Sequence, residues 1–325
     1  LVSTPDSLKA EFAIDVRTRN EALHIDWQAK ELQVRDLATG TDYALAYDTL
    51  ILSPGAMPVV PRLPGVDLPG VFSLRSIPDA DAIKAMVDAS GGQNAVVVGG
   101  GFIGLEMAEN LVARGMRVTI VEMLEQVMAA LDPEMAALVH RHLKDHGVTL
   151  ALGSALKSVE QDPNGGLVLR AGEDQEFHAN LVILALGVRP ESTLAAEAGL
   201  ALGPRGHILV NEHMQTSDPA IYAVGDAVQV LNLVTHEPCA VPLAGPANRQ
   251  AHCPKEAGVA GAFLGGFIMN LFEEAGVTGW SRRGLGVAAV ADHSTGLRPL
   301  RPLRRPDARG TQPTPLRDPP YSKFQ

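Results

Sequence analysis

Glycines at positions 99, 101 and 104 stand in the stretch AVVVGGGFIGLEMAEN, after an apolar β-branched run and at the start of a helical pattern. The G-x-G-x-x-G spacing has a chemical use. The first glycine lets a strand turn sharply into a helix, the second lets backbone amides approach a pyrophosphate, and the third lets helix and strand pack closely. The helix start then offers unpaired N–H groups and a positive dipole end to phosphate. Gly100, Phe102 and Ile103 complete the cradle. The next apolar run, RVTIVE, ends in Glu122. A carboxylate there accepts hydrogen bonds from both hydroxyls of an adenine ribose and repels a 2′-phosphate, so the pattern favours NAD(H) over NADP(H). Arg114 and Arg117 nearby temper that preference. The plainer alternative is a glycine-rich turn beside an ordinary surface glutamate. The full order of strand, cradle, helix, strand and acid argues against it.

The elements that must position these residues are legible around them. Residues 95–98 read as a strand, 102–114 as a helix stopped by Gly115, and 117–122 as a second strand, a βαβ unit. Ahead of it, residues 76–89 carry an apolar helical face (Ile77, Ala80, Ile83, Ala85, Val87), with Asp79 and Asp81 at the N-terminal end. Behind it, Asp132-Pro133 opens a helix that runs to His146 and ends at Gly147. TLAL, ALKSVEQ and GLVLRA read as strands, and LVILALG (181–187) as a buried strand ending in glycine. Residues 11–55 read as strands through FAIDVRT, ALHIDW, ELQVRDL and YDTLILSPG. Residues 56–70, with four prolines, read as a linker, and 188–250 as mixed strands and turns. After Gln250 the pattern weakens, and residues 281–325 are dense in Arg and Pro, a composition expected to be disordered.

Composition narrows the function classes. The 325 residues suffice for about two domains. A net charge of −10 repels phosphate backbones, which argues against a nucleic-acid partner. Two cysteines, Cys239 and Cys253, make no disulfide framework and fit a reducing compartment. Residues 257–272, the longest apolar stretch, are glycine-rich and shorter than the ~20 residues of a membrane span. The chain therefore reads as cytoplasmic, with no membrane association.

YDTLILSPGA and TSDPAIYAVGDAV flank the βαβ unit. With them the chain resembles the FAD-dependent pyridine nucleotide–disulfide oxidoreductases. The resemblance implies an α/β flavoprotein in which a Rossmann-like NAD(H) domain (76–190) interrupts an FAD domain, here partial (1–75 and 191–250), followed by an unrecognised, irregular tail (251–325). The chain would leave the FAD domain after Ser53-Pro54-Gly55 and return through LVILALGVRPES. It would then reach a second flavin motif at Gly225-Asp226. VDLPGVFSLRSIPDADAI, VEMLEQVM and VPLAGPANRQ resemble the branch of coenzyme A–disulfide reductases, NADH oxidases and persulfide reductases. In that branch Pro242, Leu243 and Ala244 would start a helix beneath the flavin ring, and Asn248 would contact a substrate such as coenzyme A disulfide. The implied activity passes hydride from NADH to FAD and on to a disulfide, persulfide or oxygen. The first FAD cradle and the family's redox-active cysteine would lie ahead of Leu1, so no catalytic residue is assigned within this sequence. The dimerising interface domain of relatives is not recognisable after Gln250. The alternative is a fragment or truncated gene product that binds NAD(H) without catalysis.

Three further features carry two readings each. Glu106 either lies near the flavin–nicotinamide junction, as the resemblance implies, or complements the dipole of its helix. Gly187 either borders the nicotinamide or simply turns the chain. His140, His142 and His146 are metal-like in spacing, but no carboxylate completes a zinc pattern, and an exposed helix face is the expected place for them. No metal site is assigned.

Overall fold

The structure, a computed structural model, describes residues 4–90, 93–252 and 286–290. The chain opens with α1 (Pro5–Phe12), where Thr4 and Ser7 form a reciprocal capping box and Pro5 takes the first helical position. This corrects the expected strand at FAIDVRT: Phe12 ends the helix, Ala13 caps it at φ 56°, and no strand begins before Asn20. Phe12 is taken up by the helix, and the left-handed conformation of Ala13 interrupts the extended run that the alternation suggested. An antiparallel meander follows, β1 (Asn20–Asp26), β2 (Glu31–Asp36) and β3 (Thr41–Ala46), then β4 (Thr49–Ser53) and a short β5 (Ala56–Pro58).

The central unit runs through β6 (Val71–Ser73), α2 (Ile77–Ser90), β7 (Asn94–Val98), α3 (Phe102–Ala113), β8 (Arg117–Val121), α4 (Pro133–Asp145) and β9 (Thr149–Ala151). It continues through β10 (Leu156–Gln161), β11 (Leu167–Ala171), β12 (Gln175–Ala179) and β13 (Leu181–Leu184). Five of these strands form one parallel sheet in the order β6-β13-β7-β8-β9. Ala95, Val97, Leu181 and Ile183 face a core completed by α2, α3 and α4. Val96, Val98, Val182 and Leu184 face a second core completed by the antiparallel meander β10-β11-β12. Burial on both faces explains why β7 and β13 are unbroken apolar runs rather than alternating ones. The chain leaves β7 for β8 on one side and returns in β13 on the other. The carboxyl ends of β7 and β13 thus form the switch point where ligands of such sheets bind.

β14 (Val188–Pro190) then pairs antiparallel with β5, reinforced by Val59 N–H to Gly187 O (2.9 Å) and Glu191 N–H to Gly55 O (3.0 Å). Gly55 and Gly187 turn the chain at positive φ, 69° and 94°. Beyond lie α5 (Thr193–Glu197), β15 (Ile208–Leu209), β16 (Ile221–Ala223), β17 (Val228–Leu231), β18 (Pro238–Cys239) and α6 (Ala244–Gln250). A third core joins Ile25 and Leu32 of the first meander to Leu50, Leu194, Ile208 and Ile221. Within the stretch expected to be irregular, Gly286–Val290 forms β19, antiparallel to β4, whose other neighbour is the parallel β16. Residues 253–285 and 291–325, including Cys253, lie outside the described residues.

Candidate functional site

The glycines of the cradle differ in what they require. A Cβ at Gly99, where φ is 110°, would stand 2.2 Å from Ala185 O, and one at Gly104 would stand 2.0 Å from Gly99 O. Both positions hold helix, strand and turn at backbone contact. At Gly101 a Cβ would meet nothing within 4 Å. The protein itself does not demand a glycine there, and the open side faces the cavity described below. Gly101 is also the N-cap of α3 and supplies no side-chain cap, so the first-turn amides of α3 are left for another acceptor.

Glu122 follows β8. Its Oε2 accepts the Gly100 N–H (2.7 Å) and its Oε1 accepts the Leu124 N–H (2.8 Å). Each carboxylate oxygen carries two acceptor sites, so Glu122 ties the cradle to the next loop and keeps capacity for two more donors. That loop folds back on the cradle, with Met128 N–H donating to Gly100 O (2.8 Å). Arg114 reaches Asp88 (3.2 Å), and Arg117 Nε reaches Asn94 Oδ1 (2.8 Å). Asn94 and Arg117 pair at the amino ends of β7 and β8, the opposite edge of the sheet from Glu122. The two arginines expected to soften the carboxylate's preference are held elsewhere.

An open cavity of about 940 Å³ lies over the switch point. From the parallel sheet it is lined by Gly99, Gly100, Gly101, Phe102, Ile103 and Glu106, with Glu122 and Gly187. From the opposite side come Asp226, Pro242, Leu243 and Ala244. Two stretches far apart in sequence thus share one cavity with the cradle. Gly104 is buried behind it, as its packing role requires. Ser53, Pro54, Gly55 and Gly225 do not line it, but β4 and β16 run parallel, so Ser53-Pro54-Gly55 and Gly225-Asp226 leave neighbouring strand ends together. Gln250 Oε1 accepts the Gly225 N–H (2.8 Å), fixing α6 to that turn. Asn248 is not brought to the cavity. It sits half-buried on α6, in a shallow depression with Gly245, Pro246 and Arg249.

With this geometry in hand, comparison with known proteins is decisive. Residues 5–245 match the family described as pyridine nucleotide-disulphide oxidoreductase. The chain belongs to that family. Its members are enzymes that use FAD and NAD(P)H. Among relatives of this pyridine nucleotide-disulphide oxidoreductase are an NADH oxidase of Methanocaldococcus jannaschii, 38% identical over 251 residues, and a coenzyme A disulfide reductase of Staphylococcus haemolyticus, 32% identical over 277. These alignments cover 77% and 83% of the chain, and 55% and 61% of the relatives, so the chain spans little more than half of their length. Among solved structures it is similar to reduced CoADR-RHD of Bacillus anthracis, at TM-score 0.75 and 45% identity over 83% of this chain and 46% of that one. It is also similar to an NAD-dependent persulfide reductase from A. fulgidus, at TM-score 0.75 and 36% identity over 79% and 47%.

Several residues of this family member escape the sequence reading. Arg75, between β6 and α2, reaches the turn from β4 to β5: its Nη2 donates to Pro54 O (3.4 Å) and its Nη1 contacts the Met57 sulfur. Burial pushes its pKa below the ordinary arginine value, opposed by the carboxylates of Glu191, Asp79 and Asp226. Glu191 is buried, with Oε1 accepting the Thr193 N–H. Nothing in the motif spacing marks these two residues: Arg75 meets Pro54 and Met57 across about twenty residues, and burial of Glu191 is not written in its neighbours. His142 and His146 lie exposed with rings 4.3 Å apart, whereas His140, expected on the same exposed face, is half-buried and accepts a backbone N–H. Cys239 is half-buried at the end of β18. Among the described residues no cluster of His, Cys, Asp or Glu is arranged to hold a metal, and no helix is long and apolar enough to cross a membrane.

Proposed function

We propose that this chain forms the NADH-binding unit, and the adjoining face of the flavin site, of an NAD(P)H-dependent flavin oxidoreductase resembling coenzyme A–disulfide reductase. The acceptor class is a disulfide, persulfide or oxygen. One observation carries the reading: the cradle Gly99–Gly104 and the Asp226/Pro242–Ala244 segments wall a single cavity of about 940 Å³. A cavity so placed brings two cofactors into reach of each other.

The residues present fit a dinucleotide. The open side at Gly101 admits a pyrophosphate against the amides of α3, and Glu122 retains acceptors for two ribose hydroxyls. With Arg114 and Arg117 engaged elsewhere, the uncompensated carboxylate disfavours a 2′-phosphate, so NADH is the preferred donor. Bound in this cavity, nicotinamide and flavin supply the hydride chemistry. The chain supplies placement, charge and exclusion of water. Glu106 complements the positive charge of an oxidised nicotinamide. Phe102, Leu186 and Val188 give the cavity mouth apolar walls, and Asp226 takes the polar edge of the flavin side. Asn248, on the outer face of α6, is the candidate contact for a thiol or disulfide substrate. The division into 1–75, 76–190 and 191–250 belongs to the same reading.

The nucleotide unit closes both faces of its own sheet. That observation favours a second reading, in which it binds NAD(H) while the chain holds no flavin. Titrating the full chain with NADH, NADPH and FAD, following nicotinamide fluorescence and the flavin absorbance bands, separates the two. NADH binding with retained flavin supports the reductase, and NADH binding without flavin supports the second reading. Failure to bind NADH defeats both.

A further inference from the structure

The loop from Glu122 to Leu131 forms one wall of the cavity through Met123, Gln126, Met128 and Ala129. It has no regular secondary structure, yet hydrogen bonds hold it along its length. Glu122 bridges the Gly100 and Leu124 amides. Gly153 N–H donates to Leu124 O (2.9 Å), and Ser154 N–H to Glu122 O (2.8 Å). At its middle, the Val127 N–H donates to Nε2 of His140 on α4 (3.1 Å). Val127 is fully buried against Gly100, whose absent Cβ would come within 2.7 Å of the Val127 Cγ1 atom. The next amide, Met128 N–H, donates to Gly100 O. A displacement at Val127 therefore moves the cradle itself.

We infer that His140 is a positioning residue for the adenosine half of NADH: its Nε2 anchors the Val127 amide to α4 and so presets the loop, and through it Gly100, before the nucleotide arrives. The inference rests on the proposed NADH site. His140 does not line the cavity and acts through Val127. A purely apolar residue of similar size would fill the same space and leave a buried N–H without an acceptor, which favours a shifted loop. Glutamine places an amide oxygen close to where Nε2 lies and keeps the bond.

The test compares the full chain with His140→Leu, His140→Gln and Glu122→Ala by NADH fluorescence titration. His140→Leu should weaken NADH binding about fivefold, the equivalent of one ordinary hydrogen bond. His140→Gln should stay within about twofold of the unsubstituted chain, with Glu122→Ala weakened in parallel as the site control. Equal losses in the Leu and Gln variants, or none in the Leu variant while Glu122→Ala loses affinity, overturn the inference and leave the NADH site standing. No NADH binding by the unsubstituted chain overturns both. Should His140→Leu fail to fold, hydrogen exchange of the 124–131 peptide in the unsubstituted chain still decides. Protection at Val127 and Met128 without NADH is expected, and protection that appears only with NADH overturns the preset loop.

Discussion

At the scale of single residues, sterics hold Gly99 and Gly104 in place, since no other residue tolerates a backbone oxygen at about 2 Å from a Cβ. Gly104→Ala should accordingly destabilise the chain by about 3 kcal/mol, read as a lowered denaturant midpoint. Glu122→Ala should weaken NADH binding at least tenfold by fluorescence titration, because it removes charge-assisted acceptors and unties Gly100 from Leu124, and it should narrow the gap between NADH and NADPH. Other residues were silent in the sequence. Tyr47 is 3% exposed, and its hydroxyl is the buried side-chain polar atom without a partner among the described residues. Burial, aided by Asp218 and Asp26, pushes its pKa up to about 12. The protonated phenol is favoured in the fold, so this contribution is intact below the unfolded value of about 10 and is lost as pH rises toward 12. Tyr47→Phe should be at least as stable as the parent near neutrality, because it removes a buried hydroxyl without a partner among the described residues. It should also keep roughly 2–3 kcal/mol that the parent loses across that alkaline window, measured by urea unfolding at several pH values.

Among elements, the ones that wrote themselves into the sequence were those buried on two faces or closed by a strong cap. β7 and β13 are runs of apolar residues, and α3 begins where the glycines end. Asp79 was read as favouring the start of α2, and its Oδ2 accepts the backbone amides of Arg75 and Ser76 there. β12 was missed because its residues, QEFHA, are mostly polar and outward, with only Ala179 buried. FAIDVRT was read as a strand for its alternation, but Phe12 ends α1 and Ala13 caps it in the left-handed region, which breaks the extended run. The two-faced burial of β13 has a cost when cut: Ile183→Ala, at a position with no exposure, should lose about 3 kcal/mol and lower the unfolding midpoint in urea.

On the scale of the whole molecule, the inserted order of the chain was legible only through resemblance, because no local pattern says that residues 49–53 and 221–223 lie side by side. Pairing of β4 with β16 brings them together, and Asp226, just beyond β16, reaches the cavity that the cradle lines. Ligand binding should therefore register globally. NADH at a hundredfold excess over its Kd adds about 2.7 kcal/mol to the folded state, and the melting temperature should rise by a few degrees in scanning fluorimetry, more than with NADPH at the same concentration. β5 and β14 add a consequence of their own. The outgoing and returning strands of the nucleotide unit lie hydrogen-bonded to each other, Ala56 against Pro190 and Pro58 against Val188. The segment between them leaves and rejoins the rest of the chain at adjacent strands. Entry and exit of the segment carrying the cradle thus lie at one place, so replacing residues 59–187 together should change the nucleotide cradle while leaving the β4–β16 pairing in register.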